Sequence, residues 1–252
     1  MTNLNTFRMQ LLRQHPQVYG AATVLVAALA QQEAVTGVTA EMGVLTPRGF
    51  DGSLSTADGQ RLLQLLQTCD GWQAQSNWYL VEEYQVDATR HIRIAYENNQ
   101  RTEEVITVQQ TADSVFTYQS PADTTVAVRF ETPLDAGPVN RLQAYETATA
   151  VVERYFVMPC GSVPGVIWRF CVRQLWSAET MSAAEAAMVT QPPRWAVKCQ
   201  ALKVPPNMTD EHQYLVVTSL LLKMQDLLDI PVFADTVVDQ PSALQLHAFQ
   251  LV

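Results

Sequence analysis

The sequence predicts a mainly β protein with flanking helices (α+β), built on a closed antiparallel eight-stranded β-barrel or tunnel. Three observations predict it. Between Trp78 and Val204 the chain carries successive short runs rich in Val, Ile, Tyr, Phe and Thr, and many alternate in character as strands with two different faces do. Turn signals such as Glu97-Asn98-Asn99 and Cys160-Gly161-Ser162 separate the runs. Helix-like segments flank this region, and closing the strands into a barrel removes exposed edges.

Each element has its own signal. Val18, Val24, Leu25, Ala28 and Leu29 give residues 18–30 the pattern of an amphipathic helix that packs on the body of the protein. Gly20 and Thr23 interrupt that stretch, which is too short to span a bilayer and lacks the basic leader and cleavage site of an export signal. Residues 35–42 read as a strand, followed by the turn-rich Thr46-Pro47-Arg48-Gly49-Phe50-Asp51-Gly52. Ser55 is placed to cap a second helix whose apolar face is Leu62, Leu63, Leu65 and Leu66. The strand runs that follow are WYLVEEYQV, RHIRIAYE, EEVITVQ, SVFTY, TTVAVRFE, VERYFVM, GVIWRFCVRQL and RWAVKCQALKV, with the Ala-rich residues 177–188 a short helix between the last two. Pro205-Pro206 stops the last strand, and Thr209 caps a long helix to about Leu228, with Asp210 and Glu211 at the positive end of its dipole. This divides the chain into a helical segment (1–34), a barrel domain (35–230) and an extended tail (231–252).

Composition narrows the function. The 252 residues hold 16 Lys and Arg against 25 Asp and Glu, a net charge of −9, and only 16% are charged while 48% are hydrophobic. Disorder is excluded, and so few cations in an acidic chain predict no direct nucleic-acid binding. Cys69, Cys160, Cys171 and Cys199 are scattered, as are His15, His91, His212 and His247, so neither a disulfide framework nor a zinc site is expected. Thiols of this kind suit a reducing compartment, cytosolic or nuclear.

Standard chemical motifs are missing: there is no phosphate loop, no G-x-G-x-x-G and no H-E-x-x-H. Gly161-Ser162-Val163-Pro164-Gly165 lies between two strand runs and reads as a hairpin loop rather than a nucleophile elbow. Glu82-Glu83 and Glu103-Glu104 are adjacent pairs, which a strand points to opposite faces, so they read as solvated strand residues.

The order of segments resembles a known family. TAEMGVLTPRGFDGSLS, a helix ending in Trp72, RHIRI, TTVAVRFETP, VERYF, IWRFCVRQLW and RWAVKCQAL look like the metal-dependent RNA 5′-triphosphatases of protozoan, fungal and viral mRNA capping, which are eight-stranded triphosphate tunnels. The resemblance covers residues 35–204 and leaves no motif intact. Where the family's first strand has its metal-binding E-x-E-x-R/K, this chain has Gly37, Thr39 and Glu41 before Met42-Gly43. Where the last strand has three acids, it has Ala196, Lys198 and Gln200 after Trp195. A third strand keeps Glu131 and Pro133 but has Thr125, Ala127 and Arg129 for Arg, Ser and Ser. A fourth keeps Trp168 and Arg169 but has Cys171 and Arg173 for Asp and Thr.

A hard divalent cation needs several oxygen ligands, and without it nothing polarises a γ-phosphate or activates water. The resemblance therefore implies a tunnel without its metal site: no catalytic residue, no metal and no cofactor, hence a pseudoenzyme. Arg93, Arg129, Arg169, Arg173 and Lys198 occupy alternating positions that could share the inward face and bind an anion; the alternative is that some point outward or pair with Glu41 and Glu131 inside. The C-terminal half is similar to the non-catalytic tunnel subunit of the Mediator head, subunit 18. That likeness implies a nuclear RNA polymerase II transcription assembly, with other protein subunits as partners, a paired β-barrel subunit among them, and no membrane. Leu220, Leu221, Met224, Leu227 and Leu228 on the last helix are the expected partner surface. The rivals are an active Mn²⁺- or Mg²⁺-dependent RNA 5′-triphosphatase and a phosphate- or nucleotide-binding pseudoenzyme.

Overall fold

The computed structural model describes residues 4–31, 35, 37–47, 49–85, 91–97, 100–106, 108–109, 115–119, 125–133, 145–161, 163–205 and 208–229. The tail 231–252 lies outside them. Two helices open the chain, α1 (Leu4–Gln14) and α2 (Pro16–Leu29); Pro16 stands at the first turn of α2, where its missing N–H has no helical partner to lose. Strand β1 (Gly37–Thr46) turns back into β2 (Gly49–Asp51), and Ser55 caps α3 (Thr56–Thr68) by accepting from the Asp58 N–H at 3.1 Å. Then come β3 (Ala74–Gln75), β4 (Tyr79–Gln85), β5 (His91–Glu97), β6 (Gln100–Ile106), β7 (Val108–Gln109), β8 (Val115–Gln119) and β9 (Thr125–Pro133). The long hairpin β10 (Thr147–Pro159) and β11 (Ile167–Ala178) follows, then α4 (Met181–Thr190), β12 (Arg194–Leu202) and α5 (Asp210–Asp229). Thr209 caps α5 as expected, accepting from the His212 N–H at 3.2 Å.

All pairings are antiparallel, and the sheet runs β6-β5-β4-β10-β11-β12-β1-β9, with β7 and β8 on the far edge of β9. The expected closed barrel is not formed. Closure requires the terminal strands to exchange backbone hydrogen bonds, and among the described residues β6 pairs with β5, β8 with β9, and nothing joins the two ends. The architecture is therefore an open antiparallel sheet with flanking helices. The loop between β10 and β11 is a hairpin loop, with Gly165 at φ +87°, where a side chain would be strained.

The helices cover one face of the sheet. Val38, Ala40 and Met42 of β1, Val128 and Phe130 of β9, Trp168 and Phe170 of β11, and Val197 and Cys199 of β12 form one core with Leu62 and Leu66 of α3 and Val18, Ala22 and Leu25 of α2. Trp72, just past α3, donates its indole N–H to the Leu66 carbonyl and packs on Phe156 and Phe170. Gly59 of α3 lies flat on Trp195, leaving no room for a side chain. Cations also reach this face: Lys223 of α5, 5% exposed, places its ammonium 5.3 Å from the Trp168 ring centre, and the Arg154 guanidinium lies 5.2 Å from that of Phe156.

The leucine surface assigned to partners belongs to this core. Leu220, Leu221, Met224 and Leu227 are 0% exposed and Leu228 is half-buried, because α5 lies against α2, β1 and β12. The four cysteines are free thiols. No helix among the described residues is long and apolar enough to cross a membrane.

Candidate functional site

The other face of the same sheet is charged. Side chains alternate along a strand and directly opposed residues share a face, so the register fixes its members. Arg129 opposes Thr39 and Ala127 opposes Glu41 across β9 and β1; Glu41 opposes Lys198, and Thr39 opposes Gln200, across β1 and β12. Lys198 opposes Cys171, Gln200 opposes Arg169 and Ala196 opposes Arg173 across β12 and β11. Arg173 opposes Glu153, which opposes Tyr79; Arg93 opposes Glu83. The five cations picked out from the sequence thus stand on one face, together with three glutamates. Glu131 holds the register position opposite Gly37, and its side chain lies outside the described residues.

Two ionic groups form. In the first, Arg129 donates to Glu41 at 2.6 Å and the Lys198 ammonium stands 3.9 Å from the other carboxylate oxygen. The Arg129 guanidinium also lies 5.7 Å from the Phe50 ring centre. Gly52 covers this group closely: a Cβ there would sit 2.7 Å from Glu41 Oε1. Burial opposes ionisation of Glu41, yet the charges of Lys198 and Arg129 outweigh it and hold the carboxyl below its ordinary range.

The second group joins four strands. Arg173 Nη2 lies 2.5 Å from Glu83 Oε1 and its Nε 3.3 Å from Glu153 Oε2. Arg93 pairs with Glu83 at 3.6 Å and donates to Glu153 Oε1, which also accepts from the Tyr79 hydroxyl. The Arg173 and Glu153 side chains are 5% and 4% exposed, so these charges are largely shielded from solvent screening. Burial alone would raise the Glu83 carboxyl, but Arg173, Lys198 and Arg93 bring it down to about 2. Glu153 is lowered in the same way, against burial, by Arg93 and Arg173. Burial, and then the Glu153 charge, push the Tyr79 phenol up, so it remains a donor.

Arg169 differs: its Nε donates to Gln200 Oε1 at 2.9 Å, and Gln200 donates to the Thr39 hydroxyl at 3.2 Å. Cys171 lies between the groups, its thiol pushed up to about 12, chiefly by burial.

Glu83 corrects the reading of Glu82-Glu83 as solvated strand residues. The pair does point to opposite faces, but Glu83 enters the shielded cluster while Glu82 accepts from Tyr84 on the other side. Glu103 and Glu104 have side chains outside the described residues. Sequence reading also missed Glu153 and Tyr79. The available signal was an acid in phase with Tyr155 and Val157 in VVERYFV, on the strand directly before the Arg-bearing one.

A divalent cation does not fit this arrangement. The described carboxylates of the face each contact guanidinium or ammonium groups, and among the described residues no three His, Cys, Asp or Glu side chains come together in a way that could hold a metal ion.

No protein family and no curated protein matches the sequence. Solved structures do match in fold. The S. pombe Pct1 RNA triphosphatase superposes with a TM-score of 0.55 at 8% identity, covering 84% of this chain and 92% of that one. The same enzyme in complex with the Spt5 CTD gives 0.53 at 8% identity, with the same coverage. The Mimivirus capping enzyme triphosphatase gives 0.47 at 10% identity, covering 81% of this chain and 93% of that one. At such identity the likeness to the S. pombe enzyme concerns the fold alone: the chain has the triphosphate-tunnel fold, here as an open sheet.

Proposed function

We propose that this chain is a non-catalytic interaction subunit of a nuclear RNA polymerase II transcription assembly, of the Mediator-head kind, built on a degenerate triphosphatase tunnel. The observation that carries the reading is the pairing of Glu41, Glu83 and Glu153 with the chain's own Arg129, Lys198, Arg173 and Arg93. The five positions that match the family's metal-binding acids hold Gly37, Thr39, Ala196, Lys198 and Gln200, which supply no carboxylate. Free, mostly buried thiols agree with a reducing compartment such as the nucleus. The partners are other protein subunits, a second tunnel-fold protein among them.

The competing reading, a metal-dependent RNA 5′-triphosphatase, has one observation in its favour: three glutamates do share the charged face. They fall into two groups, each already neutralised by arginine or lysine, which favours the non-catalytic account. Phosphate release from triphosphate-ended RNA in Mn²⁺ is the direct test, with no turnover expected. Turnover that is lost in Glu153→Gln overturns the proposal. Co-purification of the full chain from native cells tests the partner half, with transcription subunits expected in the eluate and a lone monomer counting against it.

A further inference from the structure

The pair Glu83 and Glu153 is the place on the charged face where two carboxylates contact the same side chains. A cation bridging them has to stand where both point, and the Arg173 guanidinium is there, 2.5 Å from Glu83 Oε1 and 3.3 Å from Glu153 Oε2. Arg93 bonds the same two acids from β5. Two fixed positive charges thus contact the two negative ones, with Lys198 adding its field at Glu83, and arginine does not lose its proton at any working pH. A dication added here would meet two guanidinium groups in a site with little water to screen them.

We propose that Arg173 is a resident counter-ion: tethered to β11 opposite Glu153, it does the electrostatic work of a bound divalent cation, and its removal opens a divalent-cation site between Glu83 and Glu153. This rests on the non-catalytic reading and deepens it. In the native chain the cation is part of the polypeptide, so the two carboxylates are held together at all metal concentrations. In Arg173→Gln the two carboxylates keep contact with Arg93 alone, with the Lys198 charge acting on Glu83 from further off. The two carboxylates, the new amide oxygen and water then offer the oxygen donors that a small divalent ion takes.

The test uses the full-length chain and Mn²⁺ as the probe. Wild-type protein is expected to leave the electron paramagnetic resonance signal of free Mn²⁺ unchanged and to keep its Tm in millimolar Mn²⁺. Arg173→Gln is expected to remove about one equivalent of free Mn²⁺, and to gain on the order of 5 °C in Tm when Mn²⁺ exceeds its dissociation constant about a hundredfold. Adding Glu83→Gln to that variant is expected to abolish both effects. If Arg173→Gln is unfolded without metal, recovery of its circular dichroism in Mn²⁺ is the expected result. A variant indifferent to Mn²⁺, folded or not, overturns the proposal, as does Mn²⁺ uptake by the wild type. Uptake by the wild type without phosphate release would sink the counter-ion while sparing the non-catalytic reading; phosphate release sinks that reading whatever Mn²⁺ does at this pair.

Discussion

Alternate residues of the same strands build two faces with different means of cohesion. On β11, Trp168, Phe170 and Val172 face the helices, while Arg169, Cys171 and Arg173 face the charged side. The helix-covered face is held by area and fit, which are non-directional and nearly indifferent to pH. The charged face carries a small apolar cluster of Val81, Ala95 and Val151 and is otherwise held by named pairs, whose worth depends on every partner remaining ionised. One strand thus answers to two kinds of perturbation, and substitutions two residues apart on the same face should resemble each other more than adjacent ones.

The largest expected effect is on the helix-covered face. Trp168→Ala should lower the free energy of unfolding by about 4 kcal/mol, through lost contact and an unfilled cavity, read from urea denaturation. On the charged face Glu153→Ala should cost about 3 kcal/mol, since Arg93 and Arg173 keep their charges with one acid fewer. Replacing all of Glu83, Arg93, Glu153 and Arg173 by apolar residues of similar volume should recover most of that loss, a recovery that no truncation at Trp168 can show. If Glu153→Ala is neutral, the two faces do not differ in the way described.

Acid separates them further. Glu83 and Glu153 ionise more readily folded than unfolded, so their contribution is complete above their ordinary value of 4.5 and disappears as the pH falls toward the folded value of Glu83, about 2. Tm should be flat from pH 7 to about 5 and then fall, and Glu83→Gln should be less stable at pH 7 with a shallower fall below pH 5. A fall of the same slope in wild type and variant would remove these acids from the acid response. Gly52→Ala should cost about 1–2 kcal/mol by forcing the segment after β2 away from Glu41. The smallest effect is expected for Arg169→Ala, about 1 kcal/mol or less, because its described partner is the neutral amide of Gln200.

Most of the secondary structure was legible, because alternation and capping are local. Ser55 and Thr209 marked their helices, and the run from Gly165 to Leu175 announced a two-faced strand, found at Ile167–Ala178. Residues 1–34 read as a helical segment, but its division into α1 and α2 at Pro16 went unread, although Leu4, Phe7 and Leu11 have helical spacing. Closure was not legible, since whether β6 meets β8 depends on the path of the whole sheet rather than on any segment. The same limit applied to the site. The phase of Arg173 and Lys198 could be read, but not the register that sets Arg173 opposite Glu153. Leu220 to Leu228 had the apolar stripe of a docking helix, and a stripe does not say whether its cover comes from the same chain or another.

Lys223 gives the helix layer a property that greasy contact alone would not. Turning α5 by one position would already swing Leu220, Leu221, Met224 and Leu227 away from the core in which they are fully buried. An ammonium seated over the Trp168 ring works as a key in that surface, since turning α5 by one position would carry the charge off its aromatic seat. The rotational setting of the last helix is thereby marked by a buried lysine as well as by its leucines.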